Sequence, residues 1–342
     1  LTMLDNRTNL GLEVVEEIKS YFTDYGVYGI FGYCLASFLI FFLGKKIMLM
    51  CRKNNIGSYD KLITLLSNNR LGKIFDFFIT IFLIGTLTTM SAGMGTMLNQ
   101  VFNIPLWLGS LGLILFSIMV VKKGISEIAK VNIFIVPILI TVTIVISMSA
   151  YNGFKLSFVQ DVSIMRSVFS ASLYVAYNII MSISILPALA IAANEKAIKR
   201  GTMWSGIIIA FLGLLISLAL ITNYDIIQNV EIPLAVIADK YVGFYIITFI
   251  LEVFSTSISS LYGVYSRINK NNKKLYLIAL ISYCFSLFGF SNLITYLYGI
   301  MGVIGFFMIF ILMKGNKNEK KSSNNCSINN SIDNNCIWIG KN

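Results

Sequence analysis

Apolar runs of about twenty residues recur along this chain, separated by short stretches rich in Lys, Arg, Asn and Glu. At 1.5 Å of helix per residue, such a run matches the roughly 30 Å of hydrocarbon in a bilayer. The pattern predicts nine spanning helices, over 27–50, 74–98, 105–121, 128–150, 165–193, 202–222, 242–265, 275–288 and 293–313, and a surface helix at 58–66. Residues 1–24 are polar to amphipathic and carry Glu13, Glu16 and Glu17. They predict no span and no signal peptide, only a short helix near 17–22 lying at the interface or dipping partly in.

Three of these spans depart from uniform apolarity. In 165–193, Ser170, Tyr174, Asn178 and Ser182 fall four apart, so they share one face, with Tyr177 beside them. A lipid-facing helix gains nothing from such a stripe, because each polar group in hydrocarbon must find a partner. The stripe predicts a bundle interior or wet cavity, the bland alternative being hydrogen bonds between helices. Pro187 removes a backbone donor and frees the carbonyl one turn earlier, near Ile183. Broken spans expose backbone to substrate in many secondary transporters.

The second is 242–265, where Glu252, Ser255, Thr256, Ser259 and Gly263 lie close to one face. A carboxylate about ten residues inside a span is costly when ionised, so Glu252 is expected to be protonated, paired, or in contact with water or a cation. Ser255, Thr256 and Ser259 supply hard oxygens of the kind a sodium ion accepts, the alternative being packing through small residues. In the third span, 74–98, Gly85, Thr89 and Gly93 recur at four, with Thr88, Ser91 and Gly95 adjoining. That spacing reads as close helix packing. Gly93-Met-Gly95 follows no strand and lacks a third glycine, so it is no phosphate loop. Asp76 reads as a solvated helix-start carboxylate.

Composition sharpens the class. With 56% hydrophobic and 13% charged residues among 342, and a mean hydropathy of +0.78, the chain is too apolar for a soluble protein of this size. The formal charge of +11 sits between apolar runs rather than on an amphipathic surface, which argues against a nucleic-acid partner. Counted by alternate loops, 22 of the 27 Lys and Arg fall on one side. The positive-inside rule makes that side cytoplasmic in a cell (inner) membrane, with the C-terminus inside and Leu1 outside. Nine spans with an external N-terminus point to a span missing before residue 1. The five cysteines, Cys34, Cys51, Cys284, Cys326 and Cys336, show no CxxC spacing, and histidine is absent, so neither a metal site, a cofactor nor disulfides are expected. The same absences leave no acid–base or nucleophile set for an enzyme. Residues 314–342 form an Asn-, Ser- and Lys-rich tract, expected to be a disordered cytoplasmic tail.

Several short motifs in order carry a family resemblance: Gly57-Ser-Tyr-Asp-Lys-Leu62, Leu71-Gly-Lys-Ile-Phe-Asp76, Met90-Ser-Ala-Gly-Met-Gly95, Ile104-Pro-Leu-Trp-Leu-Gly109, Leu173-Tyr-Val-Ala-Tyr-Asn178, Glu231-Ile-Pro233 and Ser260-Leu-Tyr-Gly263. Over about 13–313 the chain resembles the YkvI-type bacterial membrane proteins, similar in turn to the amino acid, polyamine and organocation transporters. The resemblance implies an all-α polytopic fold of ten spans in two inverted five-span repeats. On that scheme 165–193 is span six, the partner of span one. Of span one only an end survives, in Glu16-Glu17-Ile18, Tyr21-Phe22 and Tyr25-Gly26, so half the central site is expected to be missing. In sodium-coupled relatives of this fold, the span equivalent to 242–265 donates hydroxyls to the ion.

These readings combine into one expectation with three parts: an external segment 1–26 left from the first span, a transmembrane domain 27–313, and the tail. The function expected is secondary transport of a small organic solute or amino acid across the lipid bilayer, with Na+ or H+ as coupling ion. Ser170, Tyr174, Tyr177, Asn178 and Ser182 would bind substrate; Glu252, Ser255, Thr256 and Ser259 would handle the ion. The alternatives are a non-transporting membrane sensor or binding protein, and a truncated inactive remnant.

Overall fold

The structure, a computed structural model, describes residues 18–66, 69–151, 163–224 and 241–287. Among them every regular element is a helix. After a short 3-10 helix at Thr23–Tyr25 come, in chain order, α1 (Val27–Lys53), α2 (Tyr59–Leu66), α3 (Asn69–Phe102), α4 (Leu106–Lys122), α5 (Ile125–Ser149), α6 (Ile164–Ile183), α7 (Leu186–Ala192), α8 (Glu195–Thr222), α9 (Val242–Arg267) and α10 (Asn272–Ser286). Six of them, α1, α3, α5, α6, α8 and α9, are long and apolar enough to cross a membrane. α4 is apolar but has 17 residues, and α10 has 15. The expected ninth span at 293–313, the tail, and Glu231-Ile-Pro233 lie outside the described residues.

Side-chain caps set several helix starts. The Ser163, Asn194 and Asn271 side chains accept from the backbone N–H groups of Arg166, Ala197 and Lys274, opening α6, α8 and α10. The expected break in 165–193 is present: α6 stops at Ile183, two residues intervene, and α7 begins with Pro187 at its second position. Pro187 has no N–H to offer Ile183, so the chain turns through tighter bonds, Ser184 N–H to Met181 and Ile185 N–H to Ser182.

Small residues bring the helices together. Ser91 and Ser110 exchange reciprocal hydrogen bonds at 3.0 and 2.9 Å between α3 and α4. A Cβ on Gly109 would lie 2.9 Å from the Gly95 Cα, so the two backbones touch there. This supports the packing reading for Ser91 and Gly95.

Hydrogen bonds also show which helix ends meet. At one end Arg52 donates to the Ile191 carbonyl at 2.7 Å, and Lys122 meets the Tyr276 hydroxyl at 3.0 Å. At the other, Asn223 donates to the Ala150 carbonyl at 2.7 Å, and Tyr224 donates to Asp24 at 3.4 Å.

One expectation is corrected. Asp76 is not simply a solvated helix-start carboxylate: Arg267, at the end of α9, donates to it at 2.6, 2.9 and 3.1 Å. That partner is 191 positions away, beyond the reach of any local pattern. The described end of the 17–22 segment packs into the helix bundle. Ile18 and Phe22 are both fully buried among α1, α6 and α8.

Candidate functional site

The sequence stripe on α6 reaches a cavity of about 350 Å³ walled by α1, α5, α6, α8 and α9. Tyr174, Asn178 and Ser182 line it from α6, Glu252 and Thr248 from α9, Tyr33 from α1 and Thr143 from α5. Ile18 reaches it from the N-terminal segment, and the rest of the wall is largely aliphatic. Glu252 lies ten residues into α9, so about 15 Å along the helix. A concave, mostly apolar space with a few convergent polar groups is the common form of a small-molecule site; this one is partly open, with Val136 and Ile208 exposed at its edge.

Aromatic packing closes one end. Phe22 meets Tyr33 and Tyr174 edge to face, both at 5.0 Å between centroids, and Tyr33 and Tyr174 lie 6.3 Å apart. The segment before α1 and the first turn of α1 are held by the first turns of α6. Ser170 donates to the Tyr21 carbonyl and Ser167 to the Tyr28 carbonyl, each at 2.7 Å. Phe22 itself approaches so closely that a Cβ on Gly29 would overlap its carbonyl.

The expected substrate set therefore divides. Tyr174, Asn178 and Ser182 share the cavity, whereas Ser170 holds the N-terminal segment and Tyr177 packs against Phe82 with centroids 5.9 Å apart. Asn178 also donates to the Tyr174 carbonyl at 3.0 Å, which fixes the direction of its amide.

The ion set divides in the same way. Glu252 faces the cavity, while Ser255, a turn further along α9, donates to the Asn132 side-chain oxygen at 2.7 Å, and Ser259 donates to the Ser255 carbonyl at 2.9 Å. Thr256 is half-buried on the same stretch. Among the described residues no group of three or more His, Cys, Asp or Glu is placed to hold a metal ion.

Sequence reasoning passed over Tyr33, Thr143, Thr248, Gly213 and Ile18. Only Thr248 carried a signal, as a hydroxyl one turn before Glu252 on the face already singled out. Gly263 lay on the face whose alternative reading was packing through small residues. A Cβ there would lie 2.6 Å from the Ser184 Cβ, so its smallness seats the α6–α7 break against α9.

Six apolar helices of spanning length among the described residues define a multi-pass membrane protein. The chain is similar to the Bacillus subtilis membrane protein YkvI, 26% identical over 321 residues, covering 89% of this chain and 91% of that one. It is also similar to Bacillus subtilis YyaD, 24% identical over 255 residues and covering 71% and 75%. Among solved structures, an Eremococcus coleocola manganese transporter superimposes with a TM-score of 0.54 at 12% identity, over 90% of this chain and 82% of that one. No protein-family model matches the chain.

Proposed function

We propose that the protein is a secondary transporter that moves a small organic solute or amino acid by alternating access, coupled to Na+ or H+. One observation carries this reading: the cavity joins the polar side of the interrupted span, through Tyr174, Asn178 and Ser182, to Glu252, ten residues into α9. Substrate sits against Asn178 and Tyr174, with Ser170 and Tyr177 holding α6 in place. Glu252 responds to the ion, with Ser255, Thr256 and Ser259 supplying oxygens below it. The largely aliphatic wall favours an organic solute over a bare metal ion. In this reading the chain forms nine spans of an inverted-repeat fold across the cell membrane, with 27–313 as transmembrane domain and the C-terminal tail in the cytoplasm.

The test is uptake by the full chain in proteoliposomes, under imposed Na+ or H+ gradients, across a panel of amino acids and amines. Mn2+ joins the panel because of the fold neighbour. Gradient-driven uptake of an organic solute is expected, with Glu252→Gln abolishing its ion dependence. No uptake across the panel overturns the reading, and solute binding without uptake turns it into a membrane sensor.

A further inference from the structure

A second cavity, of about 440 Å³, lies between α1, the α6–α7 break and α8. It extends to Ala193, Ala197 and Gly201, beside Lys196, Lys199 and Arg200. Three residues from three helices, Ile40, Ser182 and Ile209, line both this cavity and the one holding Glu252. Resting on the transporter reading, we propose that the two cavities are successive chambers of one translocation path, and that Ile40, Ser182 and Ile209 form its neck.

The geometry gives the neck a means of changing width. Ser182 is the smallest of the three side chains and stands two positions before Ser184, where α6 ends. Its carbonyl accepts the Ile185 N–H at 3.1 Å within the break, so any change in the turn at 184–185 shifts Ser182 against Ile40 and Ile209. The opposite end of the first chamber is stopped by Phe22 packed on Tyr33 and Tyr174. On this proposal the path is closed at the Asp24 end and leads toward the Lys- and Arg-rich end, and a solute leaving the first chamber by it passes Ser182.

Accessibility of single cysteines tests this without knowledge of the substrate. The full chain is first stripped of its five cysteines by Ala replacement, then given one cysteine and placed in vesicles of known orientation. Gly44 and Gly201 line the second chamber, and a Cβ at either meets nothing within 4 Å, so both sites accept a side chain. Gly44→Cys and Gly201→Cys are expected to react with the membrane-impermeant 2-(trimethylammonium)ethyl methanethiosulfonate from the Lys- and Arg-rich side. Asn178→Cys, in the first chamber, is expected to react from that side as well. Adding Ser182→Trp should slow Asn178→Cys by about tenfold or more, and leave Gly201→Cys unchanged as an internal check on folding. Ile209→Trp should produce the same block from another helix.

Gly112→Cys is the lipid-side comparison, since Gly112 lines a separate apolar crevice with Met94, Phe116 and Phe254. The proposal is overturned if Gly201→Cys, like Gly112→Cys, reacts only with membrane-permeant N-ethylmaleimide. It is equally overturned if neither Trp substitution slows Asn178→Cys. Labelling as expected without solute uptake would sink the transporter reading and leave a gated cavity. Uptake without the labelling pattern would sink the path alone.

Discussion

The ring of Tyr33 lies directly against Gly213, in the space a Cβ on Gly213 would occupy, and its hydroxyl donates to the Ile209 carbonyl at 3.0 Å. One aromatic side chain of α1 thus rests in a notch of α8 while its faces meet Phe22 and Tyr174. The cavity wall depends on that notch, because Tyr33, Ile209 and Gly213 all line it.

Gly213→Ala should therefore push Tyr33 out of place, breaking its bond to Ile209, and destabilise the protein by about 1–3 kcal/mol through overpacking. Tyr33→Phe removes only the hydrogen bond and should cost about 1 kcal/mol. The two substitutions act on one contact, so the double variant should lose less than the sum. Thermal midpoints in detergent measure all three; strict additivity would show that the notch does not position Tyr33.

The Arg267 and Asp76 pair ties the end of α9 to the start of α3, and both side chains are partly shielded, at 34% and 19% exposure. A forked pair of this kind falls between an exposed ion pair and a buried one. Asp76→Asn should cost roughly 1–3 kcal/mol, because it leaves a half-buried guanidinium short of its partner. The double variant Asp76→Asn/Arg267→Gln should be less destabilised than the two single losses added together. A thermal denaturation series reports the difference.

How far this arrangement was legible in the chain depends on distance along it. The α6 stripe and the break before Pro187 were readable, because four-residue spacing and a missing backbone donor are local facts. So was the place of Glu252 well inside an apolar helix. The division of labour along the stripe was not, since it depends on which carbonyl each hydroxyl meets. Ser170 finds Tyr21 and Ser255 finds Asn132, partners 149 and 123 positions away. Glycines misled by their ordinariness: Gly213 sits in an unremarkable apolar run, and only the ring of Tyr33 gives it a purpose. Asn132 offered a signal that went unused, a lone amide early in an apolar span.

Asp24 makes the N-terminal segment sensitive to pH. Desolvation raises its carboxyl above the ordinary value of 3.8, opposed by Lys19 and by the hydrogen bond from Tyr224. The folded state therefore holds its proton more tightly than the unfolded chain does. Stability from this group is full below 3.8 and is lost as pH rises from there through the higher folded value, after which it is level. Asp24→Asn should flatten that fall. Tyr224→Phe removes a donor to the carboxylate and should extend the fall to higher pH. Thermal midpoints measured from pH 4 upward check both; an Asp24→Asn profile parallel to the parent would remove Asp24 as the cause.

Gly263 offers the most direct test of whether the break in the predicted span 165–193 matters to function. Ser184, at the break, is 2% exposed, and a Cβ on Gly263 would lie 2.6 Å from its Cβ and 3.0 Å from a Leu83 methyl. Backbone and a short side chain stand in the way, so Gly263→Ala must displace the 184–185 turn itself. The stability cost should be about 1–3 kcal/mol, in the range of overpacked cores. If the turn sets the distance from Ser182 to Ile40 and Ile209, uptake per folded molecule should fall, and labelling of Asn178→Cys past the neck should change with it. Gly243→Ala, on the same helix but with nothing within 4 Å of its Cβ, should leave both unchanged. A Gly263→Ala protein that is less stable yet labels and transports as the parent does would mean that the turn is a packing feature alone.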